Sequence, residues 1–228
     1  FRSGVITLSD SALRAAVQTP GVAMLREALA LGRRLRRGEI TQFQWQDAIG
    51  PILRGATIEE IRDAIGLEMI RERTPRVRLG AGIQNVPLLA RLDPDDGAAV
   101  RVFFFGAGRT DPPHCHFNMV AAHIVLAGQF RVRHFDRLRE TADGFVLRPS
   151  HDRVIGVGDS TSISDLRDNA HWHAALTPGV LLDVEQGRLD PSLPIRKRQM
   201  LDLGVPPNAD GSILASCLDR QTALHRFG

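Results

Sequence analysis

One change in hydrophobic period, at Pro75, constrains the fold of this chain more than any other feature. Upstream the period is helical. In "VAMLREALALGRRLRR", Leu25, Leu29 and Leu35 fall near one face, and Gly38 follows as a stop. "TQFQWQDAIGPIL" reads as a second amphipathic piece interrupted by Gly50-Pro51. "ATIEEIRDAIGLEMIRER" reads as a third helix. Thr57 and Glu60 have capping-box spacing, Ile58, Ile61, Ile65 and Met69 form the apolar stripe, and Thr74-Pro75 ends the run. Downstream the period falls to about two residues. Short runs such as "AVRVFFF", "AAHIVL", "QFRVRHF", "GFVLRP", "HWHAAL" and "GVLLDVE" are separated by Gly, Asp and Pro turn signals. Many short strands at even spacing predict an antiparallel sandwich or barrel. Three units are expected: a helical subdomain over 1–75, a β-barrel over 76–190, and a C-terminal extension over 191–228. The extension is expected to be partly helical, from Asp210 to Phe227.

Composition excludes several function classes. A 43% hydrophobic content over 228 residues supports a sizeable core. No apolar run approaches the ~20 residues a spanning helix needs, so no membrane partner is expected. The net charge is only +3, and the one dense basic cluster, Arg33, Arg34, Arg36 and Arg37, suits the end of a helix. Without aromatic interleaving or a zinc-finger pattern, no nucleic-acid partner is expected. Two cysteines, Cys115 and Cys217, make no disulfide framework, and a cytoplasmic protein is expected. There is no Tyr, and Lys197 is the one Lys, which argues against Schiff-base chemistry.

The chemistry concentrates in "DPPHCHFNMV". On a strand, His114 and His116 share one face and can grip one ion, while Cys115 points away as a small buried hydrophobe. An isolated His-X-His pair is weak; its company strengthens it. Gly128 follows an apolar strand, Gly158-Asp159 opens a later hairpin, and His171 stands at the head of the strand in "DNAHWHAAL".

This order of motifs resembles the cupin superfamily. "PPHCHFNMVAAHIVLAG" is similar to its first motif and "GDSTSISDLRDNAHWHAAL" to its second, over roughly Val100 to Val184. The slot that carries Glu in many members falls at Ala121, and "LRDNA" replaces the usual Pro-X-Gly. Three histidines without an acidic ligand, with the texture of "AVRVFFFGAGRTDPPHCH", resemble the cysteine-dioxygenase-like iron cupins. That resemblance implies a mainly β fold, a double-stranded β-helix (jelly-roll) barrel behind an N-terminal helical subdomain. It also implies Fe(II) on His114, His116 and His171, with other divalent transition metals able to fit. The implied activity is that of a mononuclear iron oxygenase or dioxygenase. Its partners would be O2 and a small thiol- or carboxylate-bearing substrate, the carboxylate held by Arg91 in "LLARL". The Cys-Tyr crosslink of some members cannot form without Tyr. The alternatives are a non-redox metal cupin (isomerase, lyase or decarboxylase) or a non-catalytic small-molecule sensor. Pairing through barrel edges makes a homodimer the default expectation.

Other residues stay open at this point. His123 lies two residues beyond the Glu slot on the same strand face, as a fourth ligand, a catalytic acid/base or a core histidine. His173 shares a face with His171 and competes for the ligand role. Trp172 should face away and pack. His134 has the phase of an internal residue, whereas His151 and His225 read as surface. Phe103, Phe104 and Phe105 read as core, Arg101 and Arg131 as outward and solvated, and Asp168 and Asn169 as turn formers.

Overall fold

The computed structural model describes residues 19–73, 83–87, 97–193 and 198–228. Among the described residues four helices come first: α1 (Pro20–Arg36), α2 (Gln42–Leu53), α3 (Ile58–Ile65) and α4 (Leu67–Arg73). The strands are β1 (Ile83–Pro87), β2 (Ala98–Phe105), β3 (Thr110–Cys115), β4 (Met119–Ala127), β5 (Phe130–Glu140) and β6 (Gly144–Ile155). They continue with β7 (Ser160–Ile163), β8 (Ala170–Ala175), β9 (Gly179–Gly187), β10 (Gln199–Leu201) and β11 (Ile213–Leu218), before a last helix, α5 (Arg220–Phe227). The chain is mainly β with helices ahead of a closed barrel, as the change of period predicts. None of the described helices is long and apolar enough to cross a membrane.

Local sequence explains most helix boundaries. Thr41 and Thr57 each form a full capping box, with Gln44 and Glu60. Two expectations need correction. The third helix is two helices, because Gly66 takes a left-handed cap at φ 64°. The second is not broken at Gly50-Pro51; α2 runs on to Leu53. An internal proline costs ~3 kcal/mol or more. Fully burying Trp45, Ile49 and Leu53, each at most 1% exposed, offsets this at roughly 1.5–3 kcal/mol per side chain.

The strands form two systems. One is a five-stranded antiparallel sheet in the order β1-β2-β9-β4-β7. Its outer face carries Val100, Val102, Val120, Ala122, Ile124, Leu182 and Val184, which share one apolar core with Leu29, Trp45, Ile49, Leu53 and Ile61 of the helices. In the other, six strands close in the order β10-β11-β6-β5-β8-β3. Here too an expectation shifts. The tail is helical only from Arg220, and its earlier part supplies β10 and β11, which close the ring against β3 and β6. Cys115 is fully buried among Phe135, Phe145, Leu147 and Leu201, away from the histidines that flank it. Gly128 turns the chain between β4 and β5 at φ 81°, where a Cβ would meet the Pro178 carbonyl at 2.5 Å.

Candidate metal centre

The inner face of the five-stranded sheet and the β3–β8–β5 face of the closed barrel enclose a cavity of about 310 Å³. Strand alternation decides what enters it. β2 contributes Arg101, Phe103 and Phe105, β4 contributes Met119, Ala121 and His123, and β9 contributes Leu181, Asp183 and Glu185. His114 and His116 face them at the end of β3, with His171 and His173 on β8 and Arg198 just ahead of β10.

His114, His116 and His171 come together. One ring nitrogen from each lies within 4.8 Å of the others, and His114 and His171 are opposed across the β3–β8 ladder. A bulge between Asp111 and His114 sets that register. His114 Nδ1 is 2.7 Å from the Pro112 carbonyl and His171 Nδ1 is 3.3 Å from the Asn169 carbonyl. Only a protonated Nδ1 can bond a carbonyl, so both rings keep the Nε2 lone pair free. Arg198 Nη2 also lies 3.1 Å from His114 Nδ1, but that nitrogen cannot both donate and accept. The shorter carbonyl contact decides the tautomer, and Arg198 is held by Asp111 instead.

This donor set suits a metal ion. His114 Nε2 and His116 Nε2 are 3.0 Å apart. Two nitrogens each about 2.0–2.1 Å from one ion, at roughly 90–110°, lie about 3.0–3.4 Å apart. Burial pushes all three imidazoles well below their ordinary pKa. The charge of Arg198 adds to this at His114, and His114 itself adds to it at the other two. They are therefore neutral at pH 7, as ligation requires.

A second group of histidines lies beside the first. His123 and His173 meet edge to face at 4.7 Å, and His134 is 6.1 Å from both His171 and His173. His123 Nε2 is 3.4 Å from Asp183 Oδ1, close enough for an ion pair but without hydrogen-bond alignment. Burial lowers His123 to about 4 and His134 to about 3. The carboxylates move the other way. Burial raises Asp183 to about 6 against the pull of Arg101, and burial and Asp183 together raise Glu185 to about 8. Arg101 bridges both, its Nη1 3.6 Å from Asp183 Oδ2 and in closer contact with Glu185.

Several expectations meet this geometry directly. His171, not His173, joins His114 and His116; neither His123 nor His173 is in that group. His134 is buried, and the His151 side chain is 53% exposed. Trp172 packs against Phe227, under Arg133. Arg91 lies outside the described residues. Arg101 is a correction, because it faces the cavity, whereas Arg131 is solvated and paired with Asp152. Phase could not orient β2, since helices cover its outer face and both faces are apolar. Sequence reading also missed Asp111, Asp183, Glu185 and Arg198. One signal was available: Asp183 and Glu185 share a face at i, i+2 in the otherwise apolar "VLLDVE". Glu185 is the ladder partner of Ala121, so the acid missing from the Glu slot stands one strand away.

No protein-family model matches the sequence, and no curated protein does. Solved structures similar to this chain include KdgF from Halomonas sp., at 20% identity and a TM-score of 0.40, over 54% of this chain and 96% of that one. An RmlC-like cupin from Shewanella frigidimarina is 20% identical with a TM-score of 0.38, over 54% of this chain and 91% of that one. An oxalate oxidase is 18% identical with a TM-score of 0.38, over 53% of this chain and 58% of that one.

Proposed function

We propose that this chain is a metal-dependent enzyme that holds one transition metal ion on His114, His116 and His171. Its leading activity is that of a mononuclear Fe(II) oxygenase or dioxygenase acting on a small thiol- or carboxylate-bearing molecule. The observation that carries the reading is the convergence of three neutral imidazole nitrogens, without a carboxylate among them, at the wall of a cavity. An all-imidazole set leaves the charge of the ion uncompensated, which favours an anionic substrate. When bound, the ion supplies Lewis acidity and, as Fe(II), one-electron chemistry with O2.

The chain's own residues do the rest. Phe103, Phe105, Met119 and Leu181 exclude water from the reacting side of the cavity. Arg101 and Arg198 stand where a substrate carboxylate can be oriented. Glu185 keeps its carboxyl proton at neutral pH, and neutral His123 offers a base beside Asp183.

That acid and base beside the metal group favour a second reading: a non-redox isomerase, lyase or decarboxylase with His123 as the acid/base. One experiment separates the two. The Fe(II)-loaded protein is offered a panel of thiols and carboxylates in an oxygen electrode, with products followed in parallel. Substrate-dependent O2 uptake supports the first reading, and turnover without uptake supports the second. Failure to retain about one transition metal per chain after reconstitution sinks both.

A further inference from the structure

A second cleft, of about 340 Å³, opens between α2, β7 of the five-stranded sheet, and β5 and β6 of the closed barrel. None of His114, His116 or His171 lines it. Its floor carries two buried polar side chains without partners: His134, 2% exposed with neither ring nitrogen hydrogen-bonded, and Thr161, 7% exposed with its hydroxyl unbonded. Leaving such groups dry costs about 1–3 kcal/mol each, so water or a ligand must answer them.

The walls indicate which ligand. Arg54 and Arg153 reach the cleft from opposite sides and both lean on Ser160: Arg54 Nη1 donates to its Oγ at 3.0 Å, and Arg153 Nη2 to its carbonyl at 3.2 Å. Neither has a carboxylate partner among the described residues. The acids that line the cleft are already engaged. Asp47 accepts from Arg167 Nη2 at 2.8 Å. Asp168 accepts from the Ser150 hydroxyl at 2.5 Å and lies 3.7 Å from His151 Nε2. The fold of α2 keeps Arg54 in place. A Cβ at Gly50 would meet Arg54 Nη1 at 3.2 Å, so glycine leaves the room in which the guanidinium folds back. Gly in a helix costs roughly 1 kcal/mol relative to Ala, and here it opens one wall of the cleft.

Two uncompensated guanidiniums call for an oxyanion. Neutral His134 presents one donor and one acceptor, and a ligand with its own O–H can answer the acceptor. We propose that this cleft binds a small hydroxyl-bearing oxyanion, hydrogen phosphate or a hydroxycarboxylate, between Arg54 and Arg153 with its O–H on His134. None of the three metal-group histidines lines this cleft, although His134 is 6.1 Å from His171, and binding there stands or falls independently of the activity proposed above.

Calorimetric titration at pH 7.5 and fixed ionic strength tests it, with inorganic phosphate and L-malate as probes and sulfate, which lacks an O–H, as the contrast. Saturable binding of phosphate points to the phosphoryl source, and of malate to the carboxylate source; either supports the site. Arg54→Gln and Arg153→Gln should each weaken it by about tenfold or more, and Gly50→Ala by several-fold. Both arginines are exposed, so the variants should melt with the parent protein in chloride. His114→Ala should leave the titration unchanged. Absence of saturation by either probe would overturn the proposal. So would sulfate binding as tightly as phosphate, affinity unchanged in both arginine variants, or loss of binding in His114→Ala.

Discussion

The two histidine groups inside the barrel differ in how they are held. In the metal group, the Nδ1 atoms of His114 and His171 are tied to the backbone carbonyls of Pro112 and Asn169. The His116 carbonyl receives Asn169 Nδ2 at 3.0 Å and Arg137 Nη1 at 3.4 Å. In the other group, His123 Nδ1, His173 Nε2 and both nitrogens of His134 have no partner. Rings fixed through one nitrogen present the other at a defined point, which is what a metal site needs before its ion arrives. Rings with unanswered nitrogens can turn to meet water or a substrate. Residue type is the same in both groups, and only the metal group is preorganised.

The largest expected effect follows from that contrast. His114→Ala or His171→Ala should lower metal affinity by at least about a hundredfold, leaving almost no metal after reconstitution and gel filtration. His134→Ala and His173→Ala should retain most of it. Metal per chain by mass spectrometry gives the readout. Equal losses in His173→Ala and His171→Ala would erase the distinction between the groups.

Proton linkage sharpens it further in the metal-free protein. His123 and His134 are lowered to about 4 and about 3 from 6.5, so the unfolded chain binds protons more tightly than the folded one. Their contribution to stability is complete above about 6.5 and is lost as pH falls through 6.5 towards 4, at on the order of 3 kcal/mol for each group. Denaturant titrations should show stability falling between pH 7 and pH 5, and His134→Leu should flatten that fall. An unchanged slope in the variant would mean that His134 is solvated in the folded state. Glu185 has the opposite sign. Its raised pKa makes the folded chain the tighter proton binder, so its contribution is complete below about 4.5 and is lost as pH rises through about 8. Glu185→Gln, which mimics the protonated form, should remove that loss, which runs between about pH 5 and pH 8.

How much of this was legible in the sequence depends on how local each signal is. The capping box at Thr57 and the spacing of His114, His116 and His171 depend on a few neighbouring residues or on a repeated motif, and the structure forms the first and brings the three histidines together. Continuity of α2 through Pro51 depends on burial against a distant sheet, which overrides propensity. The inward turn of Arg101 depends on the helices that cover the other face of β2, and Arg198 enters the cavity only because β10 pairs with β3. Charged residues in apolar strands were read as outward because most such residues are. The pair Asp183 and Glu185 shows the limit of that rule: two acids on one face, with Arg101 as the ladder partner of Asp183, hold one another inside.

Asn169 offers the finest test, since it joins the metal group to the fold without lining the cavity. It is 1% exposed, and its Nδ2 donates to the carbonyls of His116 and Ser164, each at 3.0 Å, while its own carbonyl receives His171 Nδ1. Asn169→Ala keeps the backbone carbonyl but removes the amide that fixes His116. The buried Ser164 carbonyl loses a donor, at about 1–3 kcal/mol of stability, while the His116 carbonyl keeps Arg137. His116 is the least buried of the three and has no ring contact to backbone among those described, so this bond positions the His116 backbone, where Nδ1 bonds hold the rings of His114 and His171. Metal affinity should fall by about tenfold, within the range for a residue that orients a ligand, and far less than for loss of a ligand itself. Asn169→Asp, with an acceptor in place of the donor, should be at least as damaging to His116. Affinity unchanged in Asn169→Ala, in a variant that still folds, would show that the strand alone positions His116.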